Sequence, residues 1–485
     1  MKRELLTELR RAQTRRRFLG QLGLSFSGLA LQAMMAGDAL AEAAWRPPSG
    51  LPMLPPKARR VIWLFMRGGV SHMESFDPKP ALNTHAGKSI AETPFKDVLA
   101  PEKLKNVRQV AAGVDDKRLH NLIYPLQAGY KRYGQCGVEI SDWFPHIGSC
   151  ADDIAFIRGM WTTDNNHGAQ VQFASGRHML EPRVPTLGAW VTYGLASTSE
   201  NLPAFINMGP RFFEVRDGHY LGQAFDAVNL RVDPKNPLAF AAPEVPLENA
   251  EQAAQFDLVH RLDQLAAEEY PGDQALLARM KSYQLAYKMQ SAVPETMNLD
   301  DESEETKRLY GLDNKVTEPF ARQLLAARRL AERGVRFIQI QHGDGAAGAW
   351  DAHSGLKANH SNLSAQVDKP VAGLLQDLKR RGLLDDTLVI FATEFGRTPG
   401  TEGSDGRDHH TFGFTVWMAG GGIKGGTIHG ATDELGFHAV EHPHYVTDIH
   451  ATILHQLGLD PRRLEVPGRK RLERDFGNVI HGVLA

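Results

Sequence analysis

The chain has 485 residues, 42% hydrophobic and 23% charged, with a formal net charge of −2, values that belong to a globular protein with a large core and exclude a disordered, fibrous or coiled-coil chain. Two cysteines, Cys136 and Cys150, exclude a disulfide scaffold and a Cys-rich zinc ribbon, and the lack of a basic excess excludes a nucleic-acid binder acting through bulk charge. The unusual count is 20 histidines, most of them in the second half, which raises the question of a metal site.

Residues 1–41 read as a leader. A basic stretch, Met1 to Arg17, runs into the charge-free, apolar segment Phe18 to Gly37, the n-region and h-region of an export signal. The junction Thr14-Arg15-Arg16-Arg17-Phe18-Leu19-Gly20 looks like a twin-arginine signal, and Ala39-Leu40-Ala41 offers small residues for cleavage. Gln21, Ser25, Ser27 and Gln32 make the h-region weak for a permanent span, so a periplasmic or exported protein without a stable membrane span is expected, an uncleaved anchor being the alternative. The leader carries seven Lys/Arg against three acids, so the mature chain, 42–485, drops from −2 to about −6. Crossing the membrane already folded suits a chain that loads a metal first. In an oxidising compartment Cys136 and Cys150 either pair or stay as free thiols.

After a Pro-rich lead-in, Val61 to Met66 is a continuous apolar run followed by Gly68-Gly69, the pattern of a strand buried on both faces. The pattern recurs at Ile154 to Ile157, Ala204 to Met208, Val335 to Gln341, Leu388 to Thr393 and Phe414 to Met418. Such runs alternating with helical stretches predict an α/β fold with a mainly parallel sheet. Between 244 and 333 the spacing predicts a helical insertion: Asn249 to Glu268 and Gln274 to Gln290 as a hairpin about Pro271-Gly272, then an amphipathic helix over Glu318 to Arg333. His450 and His455 fall on a packed C-terminal helix, and the glycine-rich stretch Gly420 to Gly426 reads as a turn.

Polar clusters follow the predicted strands: Arg67 to Asp77 after the first, Thr162 to Gly168 after the second, His342-Gly343-Asp344 with Trp350-Asp351-Ala352-His353, and Glu394-Phe395-Gly396-Arg397-Thr398. A fifth, Gly406-Arg407-Asp408-His409-His410, precedes a strand. The carboxyl ends of parallel strands share one edge, where ligands bind, so four of these five clusters are expected to converge. Asp, Glu and His together suit zinc, manganese or iron, with calcium left open. Asp351 and His353 flank one residue and point to the same side of an extended loop. His409 and His410 are adjacent, so one faces an ion and the other binds substrate or acts as an acid. A lone loop histidine is usually structural; the weight lies in the two groups taken together.

The motifs Gly68-Gly69-Val70-Ser71-His72, Phe76-Asp77-Pro78-Lys79-Pro80, Tyr310-Gly311-Leu312-Asp313, Trp350-Asp351-Ala352-His353, Glu394 to Pro399, Asp405 to His410, Ala419 to Gly426 and Gly430 to Glu434 resemble the family known as domain of unknown function 1501, exported bacterial proteins often described as sulfatase-like. That family is similar, more distantly, to the alkaline phosphatase and sulfatase superfamily. The resemblance implies a three-layer α/β/α sandwich with metal ligands on loops at one sheet edge. Carried over by position, it implies Asp351 with His353, Glu394, and His409 or His410 as ligands, and a nucleophile helix near Asn166 to Arg177. Departures are visible. Asn166-His167-Gly168 stands where a sulfatase has its Cys or Ser nucleophile, Glu394-Phe395 replaces an Asp-His pair, and Ser71-His72 replaces an Asp.

The expected ligand set is therefore His72, Asp351, His353, Glu394 and His409, holding a divalent ion such as zinc, manganese or calcium. The expected activity is hydrolysis of a sulfate or phosphate ester, of a small molecule or a polysaccharide, by metal-activated water. Arg397 and His167 would hold the oxyanion and His410 would protonate the leaving group. The alternative is a non-catalytic sulfatase-like binding or assembly protein at the cell surface.

Overall fold

The computed structural model describes residues 48–105, 120–211, 217–233, 237, 249–270, 273–466, 468–469 and 476–485. The predicted leader, 1–41, lies outside them. A nine-stranded sheet organises the rest. Its strands in chain order are β1 (Arg60–Met66), β2 (Ile154–Trp161), β3 (Phe205–Met208), β4 (Val228–Leu230), β5 (Phe337–His342), β6 (Thr387–Ala392), β7 (Phe414–Ala419), β8 (Thr427–His429) and β9 (His444–Tyr445). Across the sheet they run β8-β2-β7-β6-β1-β5-β3-β4, with β9 beside β2. Every pairing is parallel except those of β7, which is antiparallel to both β6 and β2.

Strand periodicity explains the layers. Ile62, Leu64 and Met66 of β1 face one core, with Met289, Val293, Leu324 and Val371. Val61, Trp63 and Phe65 face the other, with Phe173, Trp190 and Ile449. The helices of seven residues or more are α1 (Ala169–Ser175), α2 (Leu187–Leu195), α3 (Asn249–Glu269), α4 (Gln274–Met297), α5 (Glu304–Tyr310), α6 (Glu318–Glu332), α7 (Leu356–Arg380) and α8 (Val446–Gln456). The protein is a three-layer α/β sandwich with a mostly parallel sheet. Within 244–333, α3 and α4 form a pair, whereas α6 packs directly on β1 and β5 as part of the main helical layer. Cys136 and Cys150 are both free. No helix among the described residues is long and apolar enough to cross a membrane.

The one antiparallel strand decides where the site forms. The clusters after β1, β2, β5 and β6 gather at the carboxyl edge, as parallel strands require. Because β7 runs the other way, the segment that precedes it, 406–413, arrives at the same edge.

Candidate metal centre

Close backbone crossings set the loops. Gly68 has φ 116°, and a Cβ there would stand 2.4 Å from the Asp351 nitrogen, so only glycine lets the loops after β1 and β5 pass. Trp350 N–H donates to the Arg67 carbonyl at 3.0 Å and fixes the crossing. Buried Arg67 donates Nε–H to Gln170 Oε1 at 3.2 Å and Nη1–H to the Gly343 carbonyl at 3.0 Å. Asn166 N–H to Asp164 Oδ1 at 3.0 Å turns the chain after β2 and presents His167 just ahead of α1.

Asp351 is the hub. Its Oδ2 lies 3.2 Å from His167 Nε2, and its Oδ1 lies 3.0 Å from His353 Nε2, 3.2 Å from His409 Nε2 and 2.7 Å from Arg397 Nη2. Burial acts against its charge, but the imidazoles and the guanidinium hold its carboxyl well below the usual carboxylate range. Burial would likewise lower His167, yet Asp351 and Glu394 on either side lift it to about 9. Asp351 and Glu402 raise His353, while burial lowers His409.

Which nitrogen each imidazole presents decides whether the residues suit a divalent ion. His167 Nδ1 is 3.1 Å from Glu394 Oε1, His409 Nδ1 is 2.8 Å from the Asn165 carbonyl, and His353 Nδ1 contacts Glu402 Oε2. Each acceptor holds a proton on Nδ1, so each Nε2 is the nitrogen left to face Asp351. Ligand atoms of His167, Asp351 and His409 all lie within 4.8 Å of one another; so do those of His353, Asp408 and His409, and of His120, Glu402 and Asp408. Imidazole Nε2 atoms around one carboxylate, each oriented from behind, are a donor set that fits a zinc- or manganese-type ion.

Of the residues expected at the site, the edge brings together His167, Asp351, His353, Glu394, His409 and Arg397. Glu394 stands behind His167 instead of at the centre. It is fully buried, and its Oε1 accepts from Gly68 N–H at 2.9 Å and Gln170 Nε2 at 2.9 Å as well as from His167. Arg397 is also fully buried, donating to the carbonyls of Gly68, Gly69 and Arg407 in addition to Asp351. Enclosed in this way, it anchors Asp351.

His72 and His410 lie apart from Asp351. His409 and His410 pair with Arg397 and Gly396 in a short antiparallel ladder, and alternation turns consecutive side chains to opposite faces. His410 Nε2–H therefore points inward to the Phe437 carbonyl at 2.5 Å, and burial pushes the ring down to about 3. His72 Nε2–H donates to the Gly436 carbonyl at 2.9 Å, and the side chain is likewise buried. The Nε2 atoms of the expected ligand His72 and the expected acid His410 thus face backbone carbonyls, and the structure does not bring either to Asp351.

Sequence reasoning missed Gln170, Glu402, His120 and His360. Gln170 follows His167 by three residues at the start of α1, a spacing that signals a shared face; Glu402 and His120 sit in loops, and His360 on α7, without such a signal. His360, fully buried, accepts from Ser71 N–H through Nε2 at 3.1 Å.

The sequence profile of a family described as protein of unknown function (DUF1501) matches residues 58–484. No curated protein matches the chain. Among solved structures, a phosphonate monoester hydrolase from Silicibacter pomeroyi is similar at 14% identity and TM-score 0.34, over 70% of this chain and 71% of that one. A sulfatase from Pseudoalteromonas sp. is similar at 12% identity and TM-score 0.35, over 96% and 75%. A mutant of TAB5 alkaline phosphatase with Mg bound in its M3 site is similar at 12% identity and TM-score 0.31, over 84% and 99%.

Proposed function

Since the chain belongs to the DUF1501 family, whose description assigns no function, we propose from the site itself that it is a metal-dependent hydrolase of sulfate or phosphate esters, with water as the nucleophile. The observation that carries this reading is the convergence on Asp351 of imidazole Nε2 atoms whose Nδ1 sides are held by Glu394, Glu402 and the Asn165 carbonyl. His167, Asp351 and His409 are the residues that would hold the ion. Bound there, a divalent ion would supply polarisation of the ester oxygen and a lowered pKa for water.

The chain's own groups do the rest. Glu394 keeps the Nδ1 proton on His167 and fixes its ring, and Arg397 fixes Asp351. His353, the most exposed of the three imidazoles at 38%, carries a proton at Nε2 and delivers it to the leaving-group oxygen, with Glu402 behind its Nδ1. That assignment takes over the role expected of His410. Attack by water is consistent with Asn166-His167-Gly168, which supplies no hydroxyl or thiol nucleophile. The resemblance to sulfatases and alkaline phosphatases supports a small-molecule or polysaccharide ester as substrate, and the twin-arginine leader supports a periplasmic or exported location.

The test is metal analysis of the full chain together with turnover on a panel of sulfate and phosphate esters, beside Asp351→Asn and His353→Gln. The reading expects stoichiometric divalent metal in the parent, loss of metal and turnover in Asp351→Asn, and metal without turnover in His353→Gln. Turnover retained by Asp351→Asn overturns it. Metal without turnover on the whole panel leaves the binding or assembly reading.

A further inference from the structure

The strand beside β2 is interrupted. β8 runs along the first part of β2 and β9 along its end; residues 430–443 between them leave the sheet and form a small ladder, Ala431–Thr432 with Ala439–Glu441. The neck of this excursion is tight: a Cβ on Gly430 would stand 2.7 Å from the Glu441 carbonyl oxygen, and one on Gly159 2.6 Å from that of His442. His429 and His444 face each other across it, with Nε2 atoms 2.9 Å apart. His444 Nδ1–H donates to Asp448 Oδ2 at 2.9 Å, so the His444 Nε2 carries the lone pair and aims it at His429. Exposed His442, with φ 44°, lies nearly parallel to the His429 ring at 5.0 Å between centroids.

We propose that this neck binds a divalent ion of the copper or nickel type through His429 Nε2 and His444 Nε2, apart from the edge site. Imidazole nitrogens in adjacent positions of a tetragonal ion, each about 2.0–2.1 Å from the metal, stand about 2.9 Å from one another; the hydrogen-bonded pair already has this separation, so binding needs the two rings to turn their Nε2 lone pairs from each other onto one ion and not to move apart. Without an ion, His429 must carry the proton between the two nitrogens, because the N–H of His444 is committed to Asp448. On binding, that proton passes to His429 Nδ1. The ion closes the neck of an excursion whose Gly436 and Phe437 carbonyls accept from His72 and His410, so it clamps the layer beneath the edge site from a distance.

Copper(II) titrated into the full chain carrying Asp351→Asn and His409→Gln, which disable the edge site, tests the proposal by electron paramagnetic resonance and by metal retained after gel filtration. The expected result is one copper per chain with a two-nitrogen hyperfine pattern. It is kept in His442→Ala and weakened roughly tenfold or more in His429→Gln. An unchanged spectrum and stoichiometry in His429→Gln overturns the proposal, as does a parent that retains no copper. Circular dichroism reports whether each chain is folded. Should the edge-site background not fold, His429→Gln in the otherwise unaltered chain decides the matter by losing one copper equivalent or none.

Discussion

His409 and His410 are consecutive, yet the first turns its Nε2 toward Asp351 at 3.2 Å while the second spends its own on the Phe437 carbonyl at 2.5 Å. They belong to two layers of the same loop cluster. In the outer layer His167, His353 and His409 surround a carboxylate, and Asp351 and Glu394 lift His167 to about 9 against its burial. In the inner layer His72, His342, His360 and His410 meet mainly backbone and neutral side chains, and burial pushes all of them down. One residue type thus gathers around a carboxylate above and serves as neutral hydrogen-bonding filler below. What separates the roles is the partner of each nitrogen, not the distance from the crevice.

The sharpest way to break this contrast is to substitute the adjacent pair one at a time. His409→Gln should weaken metal binding by more than the roughly 10–100-fold that an outer-shell partner costs, while His410→Gln should keep the metal; equal loss, read by metal analysis, would erase the distinction. Next comes the inner layer's anchor, the fully buried pair Arg407 and Glu74, 2.7 Å apart. Arg407→Met strands the carboxylate and should cost about 3–5 kcal/mol in chemical denaturation. A loss under about 1 kcal/mol would mean that the pair reaches water.

The third effect concerns pH. His342 accepts from Trp350 Nε1–H at 3.1 Å and is held neutral, its pKa pushed down by burial to about 4. The unfolded chain takes up this proton below pH 6.5 and the folded chain does not. The contribution is therefore whole above 6.5 and falls away as the pH drops toward 4, about 3 kcal/mol in all. Urea denaturation between pH 7 and 4.5 should be flatter in His342→Gln, and an unchanged slope would contradict the assignment. The smallest effect is on stability in His410→Gln, where losing the bond to Phe437 should cost about 1–3 kcal/mol, read as a lower Tm.

The sheet was legible because parallel strands covered on both faces need unbroken apolar runs, and Val61 to Met66 or Leu388 to Ala392 can do little else. The short strands Val228–Leu230, Thr427–His429 and His444–Tyr445 left no such trace. Strand direction left none either: nothing in the hydrophobicity of Phe414–Ala419 says that it runs backwards, yet that reversal carries Asp408 and His409 to the site. Asp351 and His353 could be chosen by residue type and spacing. The exclusion of His72 and His410 could not, because the acceptors that claim them are the backbone carbonyls of Gly436 and Phe437, which any sequence supplies.

The central strand has a history as well as a position. β1 pairs Val61 with Phe337 on one side and Arg60 with Thr387 on the other, so its neighbours are synthesised on the order of tens of seconds after it. Until they arrive, Val61, Ile62, Trp63, Leu64 and Phe65 have nothing to pair with, and such late, long-range closure is slow and open to aggregation. The loops that carry Asp351 and His409 are made in that same late interval. The site therefore cannot be complete before β5 and β6 have closed on β1, and an ion held there as proposed would report that closure.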